Sequence, residues 1–149
     1  MKRIGMFFVC LMIFICCASP CVTATEENAI CCDTEYLGDG LSVKERITLQ
    51  DADLRGMSRA VSKYREYTYN GEIIAYIEIS AIFRYDGNTV SVVSKSISKC
   101  ETYDGWSFKQ SSFTSSGGTV TLTGKLSKLL LLNASVNISL TCDKNGNIS

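Results

Sequence analysis

Eight cysteines and not one histidine set the terms for any chemistry this chain could perform. Without an imidazole the commonest general base is missing, and with it the usual serine or cysteine triad. Cys10, Cys16, Cys17 and Cys21 lie in an apolar leader, which leaves Cys31, Cys32, Cys100 and Cys142, separated by 0, 67 and 41 residues. A tetrahedral zinc site would need all four thiolates, and those spacings match no knuckle pattern. They read instead as structural disulfides. Four cysteines allow three pairings. A Cys31–Cys32 bond would close a strained small ring, so either remaining pairing ties the N-terminal arm to both Cys100 and Cys142. Loops of that length would contribute about 3–5 kcal/mol each in the chain-entropy picture.

The carboxylates offer little more. Asp33, Glu35 and Asp39 fall on the arm and Asp104 in a turn, where an acid beside glycine normally serves the turn itself. No glycine-rich phosphate loop and no metalloprotease helix is present. Asp143-Lys144-Asn145-Gly146-Asn147 places oxygens at alternate positions, as calcium loops do, but lacks the later bidentate glutamate; it reads as a polar turn. No catalytic residue, metal site or cofactor is expected. The one candidate ligand surface is aromatic: Tyr103, Trp106 and Phe108 flank Asp104-Gly105, beside Tyr67 and Tyr69 at Asn70-Gly71. Exposed rings at a hairpin tip would stack on a sugar or anchor a protein. The competing reading, which we prefer for Trp106, is a core tryptophan. Asn133, Asn137 and Asn147 each begin an Asn-X-Ser triplet that matters only in a eukaryotic secretory pathway.

The elements that would position these residues follow an export signal. Met1-Lys2-Arg3 is basic, Ile4 to Cys17 is uncharged and apolar, and Val22-Thr23-Ala24 supplies compact side chains before a cleavage after residue 24. The expected organisation is therefore a signal peptide over 1–24, an arm over 25–40 and a single domain over 41–149, secreted. The alternative is an uncleaved anchor over 4–22, which approaches the length of a bilayer span. Cleavage leaves 13 basic against 15 acidic residues, scattered along the chain, so neither nucleic acid nor an anionic membrane surface is an expected partner.

Past the arm the hydrophobic pattern has period two. Ile73, Ala75, Ile77, Ile79, Ala81 and Phe83 share a face, as do Val120, Leu122 and Leu126, and Val136, Ile138, Leu140 and Cys142. Asn-Gly and Asp-Gly pairs mark tight turns. Residues 51–64 alone carry helical spacing, which predicts a short helix or irregular crossing over 51–58. Seven strands follow, near 41–49, 60–69, 72–85, 89–102, 106–113, 118–132 and 135–142. They predict an all-β, antiparallel β-sandwich, immunoglobulin-like in general build with meander connections, or else an up-and-down barrel.

The stretch YDGWSFKQSSFTSSGGTVTLTGKL and the C-terminal NISLTCDKNGNIS resemble a group of small exported proteins of Gram-positive, often gut, bacteria, from about residue 74 to 149. The resemblance implies export and an all-β fold, makes the glycosylation triplets incidental, and transfers no site residue. The expected function is a secreted or wall-associated, non-catalytic binding module for an extracellular protein or glycan. A structural accessory domain without a ligand and a carboxylate-based hydrolase are the alternatives.

Overall fold

The structure, a computed structural model, describes residues 28–50, 57–129 and 132–149. The leader, its cleavage site and most of the 51–58 crossing lie outside the described residues. Among the described residues eight strands form: β1 (Asn28–Gly38), β2 (Leu41–Gln50), β3 (Ser58–Tyr69), β4 (Glu72–Tyr85), β5 (Val90–Thr102), β6 (Trp106–Ser116), β7 (Thr119–Lys128) and β8 (Leu132–Thr141). Sheet A runs β1-β2-β3-β4-β5 and sheet B runs β6-β7-β8, with every neighbouring pair antiparallel. The two sheets stay separate, so the sandwich is the outcome and no barrel closes.

Three tight turns show why the strand count is eight and not seven. Asn70-Gly71 (φ 51° and 85°) joins β3 to β4 as a two-residue hairpin, where both central residues need positive φ. Asp39-Gly40 (φ 51° and 79°) does the same between β1 and β2. The expected flexible arm is thus largely an edge strand. Asp104-Gly105 (φ 52° and 76°) has the same backbone but a different job. It joins β5 of sheet A to β6 of sheet B, turning a corner rather than closing a hairpin. The Tyr103 N–H bonds the Ile74 carbonyl at 3.0 Å and the Trp106 N–H bonds the Tyr103 carbonyl at 2.9 Å, which fixes the bend.

Between the sheets, alternate residues meet. Val61, Ile77, Ile79 and Phe83 of sheet A and Val120, Leu122, Leu126, Ile138 and Leu140 of sheet B are fully buried. Each such side chain contributes about 1.5–3 kcal/mol by leaving water. One expected member is displaced. Tyr67 pairs with Ala75 and Thr68 with Ile73, so Ile74 is an extra, bulged residue. The bulge turns Ile74 inward and leaves Ile73 exposed. Long strands are accommodated by further bulges, at Val93 and Ser98 of β5 and Ser111 of β6.

Gly124 of β7 is required by packing, not by φ. A Cβ there would stand 2.6 Å from Cζ of Phe108 and 2.8 Å from the Lys109 carbonyl oxygen. Gly124→Ala is expected to lower stability by about 1–3 kcal/mol through overpacking, measured by urea unfolding; an unchanged midpoint would contradict this packing.

Candidate functional site

Sheet B has three strands to cover five. β6 lies beside β5 and β8 lies over β3, so β1 projects past the edge of sheet B. The boundary is pinned by Arg65 of β3, whose Nη1 donates to the Asn137 carbonyl of β8 at 2.6 Å. A crevice results along the inner side of β1, and its upper part reaches the start of β8. Its lower part, about 370 Å³, is lined by Asp33, Thr34, Glu35, Val43, Glu45 and Arg65. Its upper part, about 390 Å³, lies between the β1–β2 turn and the start of β8, with Leu37, Leu41, Tyr69 and Trp106 among its walls.

Charges sit on the inner face at this boundary. Glu45 pairs with Lys63 Nζ at 2.7 Å and with Arg65 Nη2 at 2.5 Å, and Arg65 Nε donates to the same carboxylate at 2.6 Å. The Lys63, Arg65 and Glu45 side chains keep only 9%, 19% and 20% of their exposure. Burial alone would raise the Glu45 pKa, but the hydrogen bonds from Lys63 and Arg65 outweigh it and hold the carboxyl below its ordinary range. Beside this network the Tyr67 hydroxyl is buried without a hydrogen-bond partner among the described residues. Burial pushes its pKa up, with the Arg65 charge acting the other way. The network was readable in outline. Glu45 falls in phase with Leu41, Val43, Ile47 and Leu49, while Lys63 and Arg65 fall in phase with Val61 and Tyr67. Opposite charges interrupting two adjacent apolar faces are the signal.

The expected aromatic surface is not assembled. Trp106 is buried at 5% exposure, its ring 5.8 Å from Tyr69, as the core reading has it. Phe108 is partly buried against the core. Tyr103 alone is exposed, on the outer face of sheet A, where it meets Tyr76 edge-on at 5.6 Å. There Tyr64 stacks on Tyr76 at 5.5 Å, Arg46 lies 5.3 Å over Tyr64 and Lys99 lies 5.0 Å over Tyr76. The Tyr103 hydroxyl donates to Glu101 at 2.7 Å, which pushes its pKa up to about 12. The Gln50 amide donates to the Ser62 hydroxyl, and a ladder of hydroxyls continues from Ser62 to Ser80 to Ser98 across the same face, at 2.7–2.9 Å.

Cys31 and Cys32 sit on β1, opposite Ile47 and Arg46, while Cys100 sits on β5 opposite Ile77. The expected disulfides from the N-terminal segment to Cys100 and Cys142 turn on the Cys31 and Cys32 side chains, which lie outside the described residues. Cys142 is buried and Cys100 exposed. The Asp143 carboxylate is occupied by its own turn, accepting from the Asn145 and Asn147 amides at 2.7 and 2.9 Å and from Asn147 Nδ2 at 2.7 Å. Among the described residues no group of three His, Cys, Asp or Glu side chains is arranged to hold a metal ion, and no helix is long and apolar enough to cross a membrane.

No family model, curated protein or solved structure matches this chain.

Two measurements test the geometry. Because the Glu45 pKa is depressed on folding, its stabilisation is complete above pH 4.5 and is lost as pH falls through the lower folded value. Glu45→Gln should cost about 2–4 kcal/mol at pH 7, since it strands Lys63 and Arg65 with little solvent, and should flatten the acid limb of stability against pH. An acid limb identical to wild type would contradict the assignment. Trp106, the only tryptophan, should resist acrylamide quenching; quenching as efficient as that of free indole would contradict its burial.

Proposed function

We propose that this chain is an exported, non-catalytic binding module that engages a protein ligand outside the cell, and that it does so in the crevice between β1 and β8. The observation that carries the reading is the two-strand difference in width between the sheets. It leaves an acid-lined, partly apolar recess at the β1 margin of the sandwich. Apolar walls with a few charged groups are what ligand recesses are built from. The basic leader and its apolar run support export.

A glycan ligand has less behind it. Sugar stacking needs a free ring face, whereas Tyr64 and Tyr76 lie between Arg46, Lys99 and one another. A hydrolase using two carboxylates has less still. Its general acid needs a raised pKa, and Glu45 is held ionised by two cations. The buried Trp106 favours the accessory-domain reading to the same degree as the crevice reading, because that ring both packs in the core and lines the recess.

Immobilised protein exposed to extracellular fractions should capture a partner. Leu37→Asp, at a side chain 43% exposed in the crevice wall, should abolish capture, whereas Tyr103→Ala should not. Capture lost with Tyr103→Ala alone, or a glycan array that answers while no protein is captured, would overturn the reading. Silence of both would leave the accessory domain.

A further inference from the structure

The four sheet edges are not protected alike. Natural edge strands are blunted by bulges, charges or proline, because an open row of amides recruits other strands. β1 carries two register shifts with Asp33 and Glu35, β5 two with Lys95 and Lys99, and β6 one with Lys109. β8 has none of these. Its ten residues, LNASVNISLT, hold an unbroken register with β7 and contain no charge and no proline.

The direction of its free groups follows from two contacts. Thr141 exchanges both backbone bonds with Ser149, at 2.8 and 2.9 Å, and the Asn137 carbonyl accepts from Arg65. Odd-numbered residues therefore point their amides away from β7. By the same parity Asn133, Ser135 and Ser139 turn N–H and C=O to the free edge of β8, unpaired among the described residues, and Asn133 and Ser135 line the upper recess. Ser149 is already one residue of added strand. Across the crevice, Asp33, Glu35 and Leu37 succeed one another on the inner side of β1, and the buried Tyr67 hydroxyl feels the charge of Glu35.

Resting on the crevice reading above, we infer that the ligand is an extended peptide segment that adds to β8 as a fourth strand of sheet B. Its inward side chains would then face β1. Residues i and i+2 of a strand lie about 6.6 Å apart on one face, the same interval as Asp33 and Glu35. Basic side chains at i and i+2 meet the two carboxylates, and a large apolar side chain at i+4 meets Leu37 and the upper recess. β8 leaves the upper recess as β1 enters it, so a strand antiparallel to β8 runs in the order basic, basic, apolar. Backbone bonds supply affinity and the alternate side chains supply specificity. A second copy fits less well, since β8 itself offers no basic residue to the acids.

The probe is the peptide Thr-Lys-Thr-Lys-Thr-Leu-Thr, titrated against the full chain with Trp106 emission and calorimetry as readouts. Binding is expected to weaken by about tenfold or more when lysines become glutamates, when alternate amides are N-methylated, or in Ser135→Pro, whose lost N–H faces the free edge and so spares the β7 ladder. Asp33→Asn with Glu35→Gln should remove the lysine preference while keeping the Ser135→Pro effect. Equal binding of the N-methylated peptide, or none of the parent, would overturn strand addition. If partner capture then still fails with Leu37→Asp, the crevice reading survives without it. A dimer dissolved by Ser135→Pro, or a photo-cross-linker at Asn133 that joins only residues 1–27 of its own chain, would assign the edge to another occupant and overturn the proposal.

Discussion

One guanidinium holds the architecture at its decisive point. Arg65 faces inward from the middle strand of sheet A, shares Glu45 with Lys63, and reaches the carbonyl of Asn137 on the last strand of sheet B. Desolvating such a group is costly unless each donor finds an acceptor. The carboxylate and the carbonyl provide that. A continuous apolar face at this position would invite a further strand to close over it; the charged cluster interrupts that face. Buried Val43 and Ile47 still carry the core onto β2, and the sandwich opens at β1.

That constraint explains features that otherwise look unrelated. β1 is bulged and acidic because it forms an exposed wall. β8 is uncharged and regular because its side chains serve the core on one side and its backbone is left to the recess. Trp106 seals the upper end of the recess from the core side. The outer face of sheet A answers to a different need: stacked tyrosines, two cations and a hydroxyl ladder satisfy one another across four strands, which makes a stiff, polar surface rather than a set of free rings.

Much of the fold was legible from alternation, since period two admits no helix and the buried residues of β4, β7 and β8 follow it. What alternation hides is a bulge. One inserted residue reverses phase, so Ile73 was placed on the buried face that Ile74 takes. Turn chemistry was equally readable but unequally used. Asp39-Gly40 carries the same signal as Asn70-Gly71, yet it lies in a segment whose acids and paired cysteines read as an arm. Asp104-Gly105 shows the opposite limit, because a dipeptide specifies a local backbone and not whether the strands it joins share a sheet. The aromatic site failed for that reason: Tyr103, Trp106 and Phe108 flank a corner, and a corner sends its two arms to different layers.

The central claim is that the free edge of β8 stands open beside a stable core. Amide hydrogen exchange of the full chain, resolved by residue, tests it most directly. Protection is expected to alternate along the strand, high at Ala134, Val136 and Ile138, whose amides bond β7, and low at Asn133, Ser135 and Ser139. Uniformly high protection from 133 to 139 would mean that the edge is already covered, and the account would fall.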